Sequence, residues 1–142
     1  MSQFVGRWRA ETTSDEVPGY TEFMPVLDVP EHVQEMIKGR IVTLELALEG
    51  DTWTSKSSLE GMPGRINKFK LGQDVESERM DGTIQNFRNI TDGDTWIEEI
   101  TPVSNPNGNS IVTKRTVNGD VMDVNVTIVG QGASISFKML RQ

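Results

Sequence analysis

From about residue 40 to the C-terminus the chain runs in short segments of alternating apolar and polar positions, each closed by turn-forming residues. Ile41-Val42-Thr43-Leu44-Glu45-Leu46-Ala47-Leu48 stops at Glu49-Gly50-Asp51, and Thr52-Trp53-Thr54-Ser55-Lys56 follows. A turn at Gly61-Met62-Pro63-Gly64 precedes Ile66-Asn67-Lys68-Phe69-Lys70-Leu71, which Gly72 ends. Asp81-Gly82, Asp92-Gly93 and Asn118-Gly119 are two-residue hairpin signals, because their second residue tolerates positive φ. Segments of this length and spacing predict an up-and-down antiparallel sheet or barrel. In the last segment Ala133, Ile135, Phe137 and Met139 share one face, and Ser134, Ser136 and Lys138 share the other. The apolar face must point inward, as must Val124, Val126 and Ile128, with Asp123, Asn125 and Thr127 outside.

One stretch has a helical period instead. Tyr20, Phe23, Met24 and Leu27, and then Val33, Met36 and Ile37, recur at helical spacing, with Asp28 and Pro30 between the groups. The pattern predicts two short helices with a break. Glu31 and Glu35 suit the start of the second helix, where negative charge favours the dipole, and Gly39 stops it. A helical pair inserted after the first strand is placed to lid one end of a barrel.

Composition narrows the chemistry. A chain of 142 residues is one domain by length, spanning residues 1–142. Its net charge of −7 repels phosphate backbones and anionic membranes, so no nucleic-acid partner is expected and at most transient membrane contact. The absence of cysteine excludes disulfides, thiolate nucleophiles and cysteine-based zinc sites. Met1 to Gly6 lack a basic stretch followed by an apolar run, so a signal peptide is not expected and a cytoplasmic location is. Asn89-Ile90-Thr91 and Asn125-Val126-Thr127 match the glycosylation pattern, which only a secreted chain would use.

Phe4-Val5-Gly6-Arg7-Trp8, Tyr20-Thr21-Glu22-Phe23-Met24, Phe69-Lys70-Leu71-Gly72-Gln73 and Thr116-Val117-Asn118-Gly119 together resemble the intracellular lipid-binding proteins, of the fatty-acid-binding and cellular retinoid-binding type. The order and spacing of these anchors carry the resemblance across the whole chain. It implies an all-β fold, a ten-stranded antiparallel up-and-down barrel of lipocalin-like type with a helix-turn-helix lid after the first strand. The implied strands are about 4–13, 40–49, 52–58, 65–72, 74–80, 83–90, 94–101, 109–117, 120–129 and 132–140. Many members of the family hold a ligand carboxylate with two inward Arg residues and a Tyr. Here two of those positions align with Phe137 and Met139 and the third falls near Ile100, so all three expected anchors read as apolar. A buried lone carboxylate is costly unless paired, so neutral or weakly polar ligands are expected over free fatty acids, with a fatty acid whose carboxylate stays at the portal as the alternative.

The resemblance implies non-enzymatic binding and transport of one small hydrophobic ligand, a fatty acid, fatty alcohol, retinoid or similar, by a monomer without cofactor. The expected lining is Tyr20, Phe23, Met24, Trp53, Phe69, Ile100, Val124, Val126, Ile135, Phe137 and Met139. On the family's pattern the portal involves Val33 and Met36, the Leu59 to Met62 turn and the turn near Asp81. Trp96, Glu98 and Ile100 share a face, which would make Glu98 a buried carboxylate partnering a ligand amine, a hydroxyl or an ordered water; a bulge or strand end that leaves Glu98 in solvent is the favoured expectation. His32 reads as a surface helix residue without a metal partner, and Asp74, Glu76 and Glu78 as a solvated face. No phosphate cradle, nucleophile elbow or zinc-protease pattern supports catalysis. The alternative is a divergent barrel with a filled interior, acting as a soluble protectant or interaction protein like the tardigrade heat-soluble proteins.

Overall fold

The computed structural model of the chain describes residues 2–26, 31–78, 82–104 and 108–142. A short 3-10 turn, Ser2–Phe4, leads into strand β1, Gly6–Ala10. A second 3-10 turn, Ser14–Glu16, is followed by helices α1, Tyr20–Val26, and α2, Glu31–Ile37. The remaining strands are β2 (Val42–Glu49), β3 (Thr52–Leu59), β4 (Arg65–Phe69), β5 (Asp74–Glu78), β6 (Ile84–Asp92), β7 (Thr95–Pro102), β8 (Ile111–Asn118), β9 (Val121–Ile128) and β10 (Ala133–Arg141). They form one ten-stranded antiparallel sheet in the order β4-β3-β2-β1-β10-β9-β8-β7-β6-β5. Because β1 pairs with both β2 and β10, the sheet curls into a nearly closed barrel. Its two edges, β4 and β5, are bridged by the Ser77 hydroxyl donating to Asn67 Oδ1 at 3.2 Å.

The all-β barrel with an N-terminal helical lid is therefore as the sequence predicts, except that β4 stops at Phe69, short of 72, where Lys70 O accepts the Gln73 N–H in a turn. There are two further local differences. The first strand is shorter than 4–13, because Phe4 belongs to the opening 3-10 turn. Long-range contacts hold that turn. The Trp8 indole N–H donates to Phe4 O at 3.0 Å, and the Arg141 guanidinium donates to Val5 O at 2.6 Å and Gln3 O at 2.8 Å. Arg141 also lies 4.3 Å above the Trp8 ring, and a Cβ at Gly6 would meet its guanidinium at 2.7 Å. The second difference is in the hairpins. Asp92 pairs with Thr95 and Asn118 with Val121, so the loop pairs are Gly93-Asp94 and Gly119-Asp120, one residue later than predicted. Glycine takes the first loop position, at φ 60° and 65°. The turn expected at Asp81-Gly82 and the helix break at Leu27 to Pro30 include residues outside those described.

The main core fills the barrel end opposite the helices. Trp96 is its hub, meeting Trp53 edge-on at 4.6 Å and Phe4 at 5.2 Å between ring centres. Trp8, Met122 and Met139 complete this buried layer. A second cluster of Phe23, Met24, Val33 and Ile128, with Tyr20 and Ile135 packed against it, seats the two helices on the barrel mouth. Strand β10 alternates as predicted: Ser134, Ser136 and Lys138 are exposed while Ile135, Phe137 and Met139 are covered.

Candidate functional site

Between the aromatic core and the lid lies an interior cavity of about 370 Å³. Apolar walls come from Leu44, Leu46, Phe69, Phe87, Trp96, Ile100 and Ile111, with Val33 and Ile37 of α2 above. The rest of the lining is polar: Ser55, Ser57, Arg65, Asn67, Glu78, Gln85, Asn89, Glu98 and Arg115. Strand parity places them. Trp53 points inward on β3, so Ser55 and Ser57 do too, and Phe87 on β6 carries Gln85 and Asn89 with it.

Two observations correct the sequence reading. Glu98 faces the interior. The ladder from Thr91↔Trp96 through Asn89↔Glu98 to Phe87↔Ile100 runs without a bulge, so Glu98 keeps the inward parity of Trp96 and Ile100. The interior also holds an arginine, although Ile100, Phe137 and Met139 are apolar. Arg115 on β8 lies two residues before inward Val117 and forms an ion pair with Glu98, Nη2 to Oε1, at 3.7 Å. Both side chains are well covered, at 17% and 24% exposure.

Asn89 sits opposite Glu98 and is buried at 1% exposure. Its Oδ1 accepts the Trp96 indole N–H at 2.7 Å, which fixes the amide so that Nδ2 is the free donor. Asn89 Nδ2 and Arg115 Nε are both buried without a hydrogen-bond partner. Burial of Asn89 also means that the folded chain cannot present it for glycosylation. Asn125, the other candidate, is half-buried and donates to the Ser134 and Ser136 hydroxyls at 3.1 and 2.8 Å.

A smaller apolar cavity, about 190 Å³, lies under α1 between Val17, Tyr20, Phe23, Met24, Ile37, Ile135 and Phe137. The Tyr20 hydroxyl is buried there without a partner, and burial pushes the phenol's pKa up, helped by Asp15 and Glu35. A groove of about 630 Å³ runs outside, between Met36 and Ile37 of α2 and the Leu59, Met62, Pro63 turn. Ile37 borders all three spaces.

The residues expected to line a ligand site are thus distributed. Val33, Phe69 and Ile100 border the interior cavity. Tyr20, Phe23, Met24, Ile135 and Phe137 border the space under α1, and Met36 borders the groove where the portal is expected. Trp53, Val124 and Met139 are core residues away from the interior cavity, and Val126 packs against both apolar clusters. Apart from Glu98, whose inward parity the sequence raised as the less favoured alternative, the polar lining is what the sequence reading missed, and the parity of each strand was the signal for it. His32 is exposed on α2, and Asp74, Glu76 and Glu78 are exposed on β5, although Glu78 also reaches the cavity mouth. Among the described residues, no group of three or more His, Cys, Asp or Glu could hold a metal ion.

No family model matches the chain. In sequence it is 26% identical over 130 residues to a fatty-acid-binding protein of Lepidoglyphus destructor, covering 92% of each chain. In structure it is similar to the Schistosoma mansoni fatty-acid-binding protein in complex with arachidonic acid, with a TM-score of 0.83, 20% identity, and 100% and 98% of the two chains covered. It is also similar to secretory abundant heat soluble protein 4 of Ramazzottius varieornatus, with a TM-score of 0.86, 17% identity, and 100% and 96% covered. The chain therefore has the barrel fold of the intracellular lipid-binding proteins over its whole length and is related in sequence to a fatty-acid-binding protein.

Proposed function

We propose that this protein is a non-enzymatic carrier that binds one small hydrophobic molecule in its interior. The observation that carries the reading is the cavity of about 370 Å³ between the barrel strands and α2, large enough for a small ligand by comparison with pockets of ~300–1,000 Å³. Its walls supply apolar burial, worth about 25 cal/mol per Å² before the costs of association. Its polar patch offers donors to one end of the ligand. The groove between α2 and the β3–β4 turn supports an access route beneath the second helix. The sequence relative's name, fatty-acid-binding protein, points to the same class of ligand. Transport by a cytoplasmic monomer completes the proposal.

The test is displacement of an environment-sensitive fluorescent lipid by a panel of delipidated fatty acids, fatty alcohols and retinoids, with mass spectrometry of lipid extracted from the purified protein. Saturable binding at one site is the expected outcome. No binding and no co-purified lipid would overturn the carrier reading and favour the protectant alternative, to which the heat-soluble structural neighbour points.

A further inference from the structure

The interior cavity contains its own counter-charge. Glu98 sits between Asn89 on β6 and Thr113 on β8, and its carboxylate holds the Arg115 guanidinium at 3.7 Å. The inner positive charge that could receive an anionic head group is thus already answered from within the barrel, and the other arginine of the lining, Arg65, lies at the exposed edge of the cavity. Two donors beside it are not answered: Arg115 Nε and Asn89 Nδ2 are buried and without a partner, and both residues border the same space. The Asn89 amide cannot flip to offer an acceptor without breaking its bond from Trp96. What this corner lacks is an oxygen that accepts hydrogen bonds. What it does not lack is negative charge.

Resting on the carrier reading, we propose that Glu98 is the specificity-determining residue of the cavity. It reserves the inner polar end for an uncharged oxygen acceptor, as in a long-chain alcohol, ester, amide or ketone, and turns away free carboxylates. A neutral oxygen at this end of the cavity leaves the Glu98–Arg115 pair intact and supplies the acceptor that Asn89 Nδ2 or Arg115 Nε takes up once a small side-chain adjustment opens it to the cavity. A carboxylate in the same place lies within a few ångströms of Glu98, because directly opposed residues on neighbouring strands have Cβ atoms about 5 Å apart. In a partly desolvated site that repulsion is strong, and relieving it requires breaking the existing ion pair. The selectivity therefore comes from a repulsive element as much as from an attractive one.

The experiment uses Nile red, a neutral fluorescent probe, displaced by palmitic acid, hexadecanol and methyl palmitate from the wild-type protein, Glu98→Gln and Arg115→Gln. The wild type is expected to bind the alcohol and ester more tightly than the acid. Glu98→Gln keeps the side chain's shape and removes its charge, so palmitic acid should gain roughly tenfold or more in affinity while the neutral ligands change much less. Arg115→Gln should weaken the neutral ligands and give the acid no gain. Equal wild-type affinity for acid, alcohol and ester would overturn the proposal, and so would an unchanged acid-to-alcohol ratio in Glu98→Gln. The wild-type comparison stands even if a variant fails to fold. If lipids of every class bind without discrimination, only the selector fails, whereas the absence of any lipid binding defeats the carrier reading itself.

Discussion

At the scale of single residues, the contact between Asn89 and Trp96 has the clearest energetic consequence. The Trp96 indole N–H is buried at the hub of the aromatic core, and its acceptor is the Asn89 side chain at 2.7 Å. Replacing Asn89 by Ala leaves a buried donor unpaired and removes packing beside it. We expect Asn89→Ala to lower stability by about 1–3 kcal/mol in urea unfolding, the range for an orphaned buried polar group. A loss below ~0.5 kcal/mol would mean that water reaches the indole and that this layer is less dry than the geometry implies. Asn89 also shows what was legible at this scale. Strand parity alone places Asn89, Glu98 and Arg115 inside, yet each polar residue read singly looks costly to bury and invites assignment to the surface. The pairing that makes their burial tolerable runs across strands, from β6 to β7 and from β7 to β8, and local alternation contains no information about partners. The apolar anchor positions, Phe137 and Met139, needed no partner, and their inward direction follows from strand parity alone.

At the scale of elements, one of the interactions that tie down the lid titrates. Asp15, in the 3-10 turn before α1, accepts the backbone N–H of Gly39 just after α2 at 2.7 Å. That hydrogen bond is the main reason its carboxyl group titrates below the ordinary 3.8, with its own backbone, Thr13 and Lys38 adding to the effect against partial desolvation. A lowered folded-state pKa means that the stabilisation is fully present above the ordinary value and is lost as pH falls through the lowered one. The prediction is that the Gly39 amide resonance titrates with a midpoint below 3.8 and that Asp15→Ala abolishes the titration. A midpoint at or above that value would show that the tie does not stabilise the carboxylate. The strands themselves were legible because period-two alternation and turn residues are local signals. The end of β1 was not, since the Arg141 contacts that hold Phe4 in a 3-10 turn come from the far end of the chain. The loop pairs shifted by one residue for a related reason. Asp92 and Asn118 favour turns by composition, but the ladder register makes each the last paired strand residue and puts glycine first in the loop.

At the scale of the whole molecule, charge and access belong together. The chain carries a net charge of −7, and α2, which borders both the interior cavity and the outer groove, exposes Glu31 and Glu35 in its first two turns. The helix under which a ligand would pass therefore presents negative charge, offset nearby by the exposed Lys38. An anionic bilayer attracts basic segments by about 1 kcal/mol per Lys or Arg near its surface, and acidic ones meet the opposite field within roughly a Debye length of ~8 Å. On the proposed carrier function, this charge predicts release of the ligand into solution before the membrane takes it up. Transfer of a fluorescent lipid from the protein to vesicles should then proceed at a rate independent of vesicle concentration, and replacing neutral with anionic phospholipid should not accelerate it. Reversing the two charges, Glu31→Lys with Glu35→Lys, should make the rate depend on vesicle concentration and rise severalfold on anionic vesicles, an effect that added salt suppresses. A wild-type rate that already climbs with vesicle concentration would place the handover at the membrane surface. That outcome would move the contact face away from α2, because the only ordinary electrostatic attraction to an anionic bilayer would have to come from basic residues elsewhere on the barrel.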